Sequence, residues 1–489
     1  MELLQELIKI DHQAEMPVYI QITNAFIHHI RAGRLRKGLR LPGSREVATL
    51  LGINRMTMVA AYDELKAQGW IEMLPRTGTF VTQDLPVLKP GRIKEEEKVF
   101  TIPAKPSFHF DEKHIIPVFS SDFPEGGKII LNDGFPDSRL APVERLVSSM
   151  RSLVRLATQR KYFMYGGAQG TEKLRHILAD FLSDTRGLPV SPANILVTRG
   201  AQQGIYLAAH TLLQPGDHVV VGEPGYAGAN LIFRYTGAKI ISVPVDEEGM
   251  DIDKLEDICK KKKIKLVYVI PHHHHPTTVT LTPERRIRLL ELAAKYKFAL
   301  IEDDYDYDFH YASKPIMPMA SLDRHGSVIY IGTLTKTLAP AIRVGFMVAP
   351  EQFTTAATHL RKAVDTQGDS LLENALADLY KDGTIGRHIR KSVKLYKERR
   401  DHFCNLLRTE LGAHVSFKIP DGGMSVWTKF LSADTMELSA NAYRKGLVMG
   451  NSRDYDTYPK RYNSVRMGFA SLNFREQEKA VDILKGLLR

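Results

Sequence analysis

Apolar residues in the first part of the chain recur at helical spacing and then give way to short alternating runs. Phe26 and Ile30 lie on one face of a predicted helix. The segments SREVATLL and RMTMVAAYDELKAQ predict two more helices, with Ser44 and Asn54 as their expected N-caps. WIEML and TFVT predict two strands joined by a PRTG turn. The pattern therefore predicts a small α+β unit of helices and a hairpin over residues 15–82.

Further along, apolar runs alternate with segments of helical period. Seven runs predict strands: NILVT, HVVVGEP, KIISVPV, KLVYVIP, ALIEDDY, SVIYIGT and FMVAP. Near-continuous apolar strands separated by helices are typical of a mostly parallel α/β sheet covered on both faces. Later runs, SFKIP, MSVWTKF and VRMGFA, predict a smaller α+β subdomain. We predict one α/β body over residues 129–489, and a linker over residues 83–128, which lack a steady period.

Composition narrows the class of protein. The 489 residues are 43% hydrophobic and 25% charged, without an apolar run long enough to span a membrane. Cys259 and Cys404 are too few for a disulfide framework and fit a reducing compartment. The first residues lack the features of a secretory signal peptide. We expect a cytoplasmic protein with no membrane segment.

Positive charge is concentrated in the N-terminal part. The net charge is +11, and seven lysines and arginines stand between residues 31 and 55 against a single acid, Glu46. Such a stripe favours a polyanionic partner. A second basic run, residues 259–265, lies between a helical pattern and a strand, and we interpret it as a solvated helix end.

Two short helices across a tight turn, followed by a hairpin, make a winged helix-turn-helix. The pattern LPGSREVATLLGINRMTMVAAYDELKAQGWI, followed by RTGTFV, closely resembles the GntR family of bacterial DNA-binding domains. The resemblance implies double-stranded operator DNA as a partner, with contacts at Arg45, Arg55, Thr57, Arg76 and Gly78. A helical unit that packs against protein, with its arginines merely solvated, is the alternative.

Three stretches lie near the carboxyl ends of predicted strands, where open α/β sheets bind ligands. They are TRGAQQG, EDDYDYDF and GTLTKTLAPAIRVGF. Together they resemble the fold-type I pyridoxal-phosphate enzymes, the aspartate aminotransferase superfamily. The resemblance implies that Lys336 binds pyridoxal 5′-phosphate covalently and is the catalytic residue. It also implies that the Asp303 carboxylate keeps the pyridine nitrogen of the cofactor protonated.

The same resemblance assigns the other contacts. Tyr305 would hydrogen-bond the phenolic oxygen of the cofactor ring, and Tyr226 would stack on its face. A phosphate needs amides at a helix N-terminus, hydroxyls and a cation. The assigned phosphate contacts are Gly200, Ala201, Gln202, Thr333, Thr335 and Arg343, with Tyr165 reaching across a dimer interface. Arg466, in SVRMGF, is assigned to grip a substrate carboxylate.

Four consecutive histidines, His272 to His275, follow the predicted strand KLVYVI. In the superfamily this loop ends in Pro-Thr-Gly, and the residue before the proline lies beside the ring. The resemblance thus places His275 in the cofactor pocket, where it would donate to the ring oxygen beside Tyr305. Adjacent side chains of an extended segment point to opposite sides, so four neighbouring histidines cannot converge on one ion, and no metal is predicted. Thr278 and Ala201 depart from the superfamily pattern, which usually has glycine and a hydroxyl residue there.

A GntR-like head joined to an aminotransferase-like body is the architecture of the MocR/GabR family of bacterial transcription regulators, which the chain resembles over essentially its full length. The resemblance implies a homodimer that senses pyridoxal phosphate or an amino-compound effector and alters its binding to a two-half-site operator. Two alternatives stay open: a working aminotransferase with a secondary DNA-binding head, and a regulator whose body has lost the cofactor. Asn230 stands where many relatives have arginine, and the effector stays unnamed.

Overall fold

The chain separates into two compact units, Met1–Val118 and Phe119–Arg489, called here the N-terminal and C-terminal units. The structure, a computed structural model, describes residues 2–11, 13–14, 16–75, 77–86, 105–109, 128–155, 162–311, 316–456 and 460–488. Most of the predicted linker, residues 83–128, lies outside the described residues, and so does Arg76. Within those ranges, no helix is both long and apolar enough to cross a membrane.

The described residues of the N-terminal unit form helices and a three-stranded antiparallel sheet. The helices are α1 (Glu2–Leu7), α2 (Val18–Arg31), α3 (Ser44–Leu51) and α4 (Arg55–Ala67), and the strands are β1 (Arg40–Leu41), β2 (Ile71–Leu74) and β3 (Gly78–Val81). The sheet order is β1-β3-β2, so the predicted hairpin pairs with one further short strand. The winged helix-turn-helix is present, with α3 and α4 as its two helices and β2–β3 as the wing.

The helix faces predicted from the apolar pattern are buried together. Phe26 on α2 and Tyr62 on α4 meet edge to face, with ring centroids 5.8 Å apart. The Tyr62 hydroxyl donates to the Pro42 carbonyl at 2.8 Å, which satisfies the polar end of a ring in the core. This packing fixes α4 against α2 and leaves the first turn of α4 free to contact a ligand.

The two helix starts differ in their capping. Asn54 caps α4 as expected, because its side chain accepts from the Met56 amide at 2.8 Å. The expectation for α3 is wrong by one residue, since Gly43 is the N-cap and Ser44 is already helical. The Gly43 amide donates to the Glu46 carboxylate at 3.0 Å. The carboxylate at the third helical position thus satisfies the amide of the N-cap residue, which is one half of a capping box.

The C-terminal unit contains the remaining helices and strands of the described residues. The helices are α5 (Val143–Arg155), α6 (Glu172–Arg186), α7 (Ala201–Leu212), α8 (Ala227–Tyr235), α9 (Ile252–Lys261), α10 (Pro283–Tyr296), α11 (Glu351–Asp365), α12 (Ser370–Lys381), α13 (Thr384–Leu411), α14 (Thr435–Arg444) and α15 (Phe474–Leu488). The strands are β4 (Ile129–Leu131), β5 (Ile195–Thr198), β6 (His218–Glu223), β7 (Lys239–Asp246), β8 (Gly249–Met250), β9 (Ile264–Val269), β10 (Ala299–Asp303), β11 (Val328–Thr333), β12 (Gly345–Val348), β13 (Val415–Phe417), β14 (Ser425–Phe430), β15 (Leu447–Met449) and β16 (Ser464–Gly468).

Eight strands form the central sheet in the order β5-β12-β11-β10-β9-β6-β7-β8. The pairs β11–β10, β10–β9, β9–β6 and β6–β7 are parallel, which confirms the predicted α/β fold. β12, the run FMVAP, is antiparallel to both of its neighbours. The segment from β11 to β12 contains only the short 3-10 turn Pro340–Ile342. A parallel strand would need a crossover of a dozen or more residues, usually through a helix.

The smaller α+β subdomain is built around an antiparallel sheet of order β13-β14-β16. Its core includes Phe403, Val426, Met467 and Leu484. β4, the first strand of the unit, pairs in parallel with β15. The Gly468 amide at the end of β16 donates to the Asn132 carbonyl at 2.7 Å, so the segment after β4 lies beside β16 and carries residues that enter the candidate site.

Candidate functional site

Lys336 follows β11 and lies beside the segment that leaves β4. Its Nζ donates to the Gly134 carbonyl at 2.8 Å and lies 4.4 Å from the centroid of the Phe135 ring. Burial lowers the pKa of Lys336 to about 8, although nearby carboxylates oppose the shift. A lysine with such a pKa is more often a neutral, nucleophilic amine at neutral pH than an ordinary lysine is.

Asp303 is the last residue of β10 and is buried. The Tyr268 hydroxyl donates to its Oδ2 at 2.7 Å. Oδ1 is also buried but accepts no hydrogen bond from the described residues. Burial raises the pKa of Asp303 to about 7, while the bond from Tyr268 opposes the rise. Among the residues that the structure describes, this carboxyl therefore has one oxygen without a hydrogen bond and no cationic side chain in direct contact.

Tyr305 and Arg466 contact each other on the other side of the site. The Tyr305 hydroxyl donates to the His273 carbonyl at 3.0 Å and accepts from Arg466 Nη2 at 2.9 Å. Arg466 Nε also lies 3.0 Å from Asp133 Oδ1, and the arginine side chain is 1% exposed. The sequence assigned this guanidinium to a substrate carboxylate, yet a carboxylate of the chain itself already contacts it.

The start of α7 forms a cradle of backbone amides. Its N-cap is Gly200, with Ala201 and Gln202 in the first turn. The first amides of a helix have no intrahelical acceptor and favour an anion. Arg343 Nη2 donates to the Arg199 carbonyl at 2.9 Å, and a Cβ on residue 200 would lie 2.9 Å from this nitrogen. The guanidinium and the amides therefore face one small space that only glycine leaves open.

The two assigned threonines are placed differently. The Thr333 hydroxyl donates to the Val344 carbonyl at 3.2 Å and accepts from the Thr335 amide at 3.1 Å, so it braces the turn after β11. Thr335 Oγ1 is buried and has no hydrogen-bond partner among the described residues. Of the two hydroxyls, that of Thr335 is the one available to a ligand.

Tyr226 and His275 lie next to each other. Their ring centroids are 5.1 Å apart in an edge-to-face arrangement. The Tyr226 hydroxyl donates to Gln202 Oε1 at 3.0 Å, which ties Tyr226 to the first turn of α7. His275 Nε2 contacts Asp133 Oδ2 at 2.8 Å. Burial lowers the pKa of His275, and Arg466 adds to this effect, although Asp133 opposes it.

The other three histidines of the run each have a different side-chain partner. His272 Nδ1 lies 2.9 Å from Asp304, and His273 Nδ1 lies 3.0 Å from Asp306. His274 pairs with the Thr277 hydroxyl at 3.0 Å, and burial lowers its pKa to about 3. No group of three or more potential metal ligands converges within the ranges that the structure covers.

Tyr165, like Arg343, is an assigned cofactor residue on the surface of the single chain. Its side chain is 87% exposed, and those of Phe163 and Met164 are 59% and 67% exposed. The sequence placed Tyr165 across a dimer interface, so exposure in a single chain neither supports nor removes that assignment. A run of three exposed large side chains marks this segment as a surface that a partner could cover.

The assigned DNA contacts lie on the helix-turn-helix and the wing. Arg45 on α3 and Arg55 on α4 are exposed, and Thr57 is half-buried. Gly78, at the start of β3, has a φ of 130°, and a Cβ there would lie 3.1 Å from Nε of Arg40. Arg76 lies outside the described residues. The first turn of α4 thus presents one cation and one hydroxyl on a free surface.

Several residues of these sites were missed by sequence reasoning. Met56, 70% exposed beside Arg55, adds an apolar contact surface to the recognition helix. Tyr268 is a polar residue inside the apolar strand KLVYVI, a signal that could have suggested a buried partner. Asp133 lies in the polar turn NDG directly after a short apolar strand, and nothing local indicates that it reaches Arg466.

The arrangement fits pyridoxal phosphate part by part. The free Oδ1 of Asp303 suits a protonated pyridine nitrogen, and Lys336 suits the aldehyde. The free Oγ1 of Thr335, the α7 amides and Arg343 suit a phosphate. The pyridine nitrogen, the aldehyde and the phosphate therefore each have a suitable partner among the described residues, whereas the Tyr305 hydroxyl assigned to the phenolic oxygen already donates to the His273 carbonyl.

Residues 127–484 match the family model described as "Aminotransferase class I and II". The chain belongs to this family. Residues 18–81 match "Bacterial regulatory proteins, gntR family". A gntR-family DNA-binding domain therefore precedes an aminotransferase domain in one chain, and both resemblances seen in the sequence are confirmed.

Relatives of this aminotransferase-family chain fall into two kinds. "Probable rhizopine catabolism regulatory protein MocR" from Rhizobium meliloti is 28% identical over 97% of this chain and 94% of its own. "Aromatic-amino-acid aminotransferase 1" from Thermococcus litoralis is 31% identical over 70% of this chain and 83% of its own. The crystal structure of Pyrococcus horikoshii kynurenine aminotransferase in complex with PMP has a TM-score of 0.69 at 29% identity, covering 75% of this chain and 92% of its own.

These matches identify the chain as a DNA-binding transcription regulator with an aminotransferase domain of the pyridoxal-phosphate type. The regulator relative spans nearly the whole chain, whereas the aminotransferase relative matches 70% of it. A working aminotransferase with a secondary head is therefore the less favoured alternative.

Proposed function

We propose that this regulator binds pyridoxal phosphate at Lys336 and senses an amino compound at the same site. In response, its affinity for operator DNA or its footprint on that DNA changes. One observation carries the proposal: Lys336, with a lowered pKa, lies close enough to Asp303 for their charges to interact, and Asp303 has an unpartnered oxygen, on a chain whose α4 presents Arg55 to solvent. Buried polar groups are usually hydrogen-bonded, so an unpartnered carboxylate oxygen near a buried lysine is what a ligand-binding site would leave.

In this proposal each residue of the pocket has a defined task. When bound, pyridoxal phosphate supplies an electrophilic aldehyde and an electron-withdrawing ring. Lys336 provides the nitrogen that holds it, and the lowered pKa favours the neutral amine that the bond requires. Asp303 orients the ring through its pyridine nitrogen, with Tyr268 fixing the carboxylate. Tyr226 and His275 limit water on one side of the ring.

The phosphate has its own set of proposed contacts at the start of α7. The amides of Gly200, Ala201 and Gln202 and the guanidinium of Arg343 bind its oxygens, with Thr335 as the free hydroxyl. Thr333 acts on the phosphate only indirectly, because its hydroxyl accepts a hydrogen bond from the Thr335 amide at 3.1 Å and so positions Thr335. Ala201 contributes only its amide, since its side chain has no hydroxyl.

The DNA-binding and assembly roles complete the proposal. Arg45, Arg55, Thr57, Arg76 and Gly78 contact operator DNA through the helix-turn-helix and the wing. Two chains associate so that the exposed segment around residue 165 is covered and two heads meet two half-sites. A regulator acts at the chromosome, which in bacteria is in the cytoplasm.

DNA binding with and without pyridoxal phosphate tests the proposal. Fluorescence anisotropy would follow the full-length protein on DNA from upstream of its own gene, for the wild type, Lys336→Ala and the control Lys295→Ala. Lys295 pairs with Glu256 at 3.1 Å on the surface of α10. We expect the cofactor to shift affinity or footprint in the wild type and the control, but not in Lys336→Ala.

Two results would contradict the proposal. Cofactor that binds Lys336, as shown by visible absorbance, yet leaves DNA affinity unchanged with and without a panel of amines would remove the sensing role. Steady release of a keto acid from an amino donor would instead indicate an enzyme.

A further inference from the structure

Asp133 places a carboxylate of the chain itself on the arginine of the pocket. Its Oδ1 lies 3.0 Å from Arg466 Nε, and its Oδ2 lies 2.8 Å from His275 Nε2. The rest of the Arg466 guanidinium contacts the Tyr305 hydroxyl at 2.9 Å and the Pro276 carbonyl at 3.4 Å. The guanidinium is almost completely buried, so its charge is compensated before any ligand arrives.

The charges around Asp133 favour its ionised form. Burial opposes a charged carboxylate, but His275, Arg466 and Lys336 together hold the pKa of Asp133 below its ordinary value. A second carboxylate brought to Arg466 would therefore meet a negative charge already paired with the same cation, although water partly screens this charge because the Asp133 side chain is 45% exposed. One of the two carboxylates would have to leave or take up a proton.

Arg466 and Lys336 contact neighbouring peptide groups of the same turn. Arg466 Nε lies 3.4 Å from the Asp133 carbonyl, and Lys336 Nζ lies 2.8 Å from the Gly134 carbonyl. A ligand whose amino group comes to Lys336 therefore brings the substituents of its amine-bearing carbon close to Asp133. This is the position at which an α-amino acid carries its carboxylate.

We propose that Asp133 determines the class of effector, admitting primary amines with no carboxylate on the amine-bearing carbon and disfavouring α-amino acids. The inference rests on the function proposed above, because it takes Lys336 as the place where amino compounds bind. It also changes the role of Arg466, which then orients Tyr305 and Asp133 and does not grip a ligand.

Ethylamine and L-alanine make a matched pair of probes, because L-alanine is ethylamine with one carboxylate added. Full-length protein loaded with pyridoxal phosphate would be titrated with each compound, following the visible absorbance of the cofactor and, separately, the heat of binding. We expect the wild type to bind ethylamine more tightly than L-alanine. Asp133→Asn should shift the ratio of the two Kd values towards L-alanine by about tenfold or more, the usual worth of a hydrogen bond to a charged group.

Two further variants locate the effect. In the single variant Asp133→Asn, the freed Arg466 guanidinium would bind the carboxylate of L-alanine. The shift should therefore disappear in the double variant Asp133→Asn with Arg466→Gln. Asp257→Asn is the control: Asp257 pairs with Lys260 at 2.9 Å on the exposed side of α9. It should leave the ratio unchanged.

The outcomes separate the two proposals. A wild type that prefers L-alanine, or a ratio that does not change in Asp133→Asn, overturns this inference while leaving cofactor binding intact. A wild type without cofactor absorbance overturns the proposed function and this inference with it. If Asp133→Asn does not fold, as judged by circular dichroism, the wild-type comparison of the two probes decides alone.

Discussion

Replacing Gly200 by alanine should weaken cofactor binding and fold stability by separate routes. Gly200 has φ 84° and ψ 174°, a region of backbone conformation that is essentially restricted to glycine. Forcing alanine there should lower the free energy of unfolding by about 1–3 kcal/mol. A Cβ would also lie 2.9 Å from Arg343 Nη2. This atom lies at the end of a flexible side chain. We therefore expect the guanidinium to move away and the backbone around residue 200 to stay in place.

The movement of Arg343 sets the size of the effect on binding. If Arg343 is the cation that binds the phosphate, its displacement removes a charge-assisted hydrogen bond of about 1.5–3 kcal/mol. The affinity for the cofactor should then fall by about 10–150-fold. A spectroscopic titration with pyridoxal phosphate measures this loss, and urea unfolding of the cofactor-free protein measures the strain.

Gly216→Ala is the matched control. Its φ is 91°, and a Cβ there would meet no atom within 4 Å. We expect a comparable loss of stability with no loss of cofactor affinity. Wild-type affinity in Gly200→Ala, or equal losses of affinity in both variants, would refute the placement of the phosphate.

Three further measurements test other parts of the sites. Cofactor affinity should fall as pH drops through about 7, because Asp303 must be ionised and its pKa is raised to about 7; Tyr268→Phe, which removes a bond that opposes this rise, should move the midpoint to higher pH. The rate of covalent capture by Lys336 should rise with pH with a midpoint near 8, as followed by stopped-flow absorbance, whereas a midpoint near 10 would show an unperturbed amine. Arg55→Ala should weaken binding to all DNA sequences and reduce the slope of log K against log salt by about one, and an unchanged slope would place Arg55 away from phosphate.

The strand pattern of the C-terminal unit could be predicted because buried parallel strands leave continuous apolar runs. The run ALIED became β10 and ended at Asp303, as its composition indicated. The four buried residues of β12 carry no sign of the direction of the strand, but the short segment after β11 does, because it leaves no room for the helical crossover of a parallel pair. β1, two residues long, likewise has no period from which to infer it.

The residues of the candidate site also differ in whether the sequence alone indicates them. Lys336 and Asp303 stand in short motifs, TLTKTLAP and ALIED, that indicate their chemistry locally. The residues that contact the site from other parts of the chain do not stand in such motifs. Tyr268 meets Asp303 across two strands, and Asp133 meets Arg466 from the far end of the unit. Such contacts depend on the topology of the fold, which one sequence by itself leaves open.

The four histidines are explained by the strand next to their own. β9 and β10 are adjacent and parallel, so the segments that follow them leave the same edge of the sheet. The run HHHH therefore lies against the run DDYDYD: His272 meets Asp304, and His273 meets Asp306. Each run alone would bury polar groups at a high cost in free energy, and each supplies the partners that the other needs. His275, beyond the reach of the acidic run, takes its carboxylate from Asp133 and so connects the histidine loop to the arginine of the pocket.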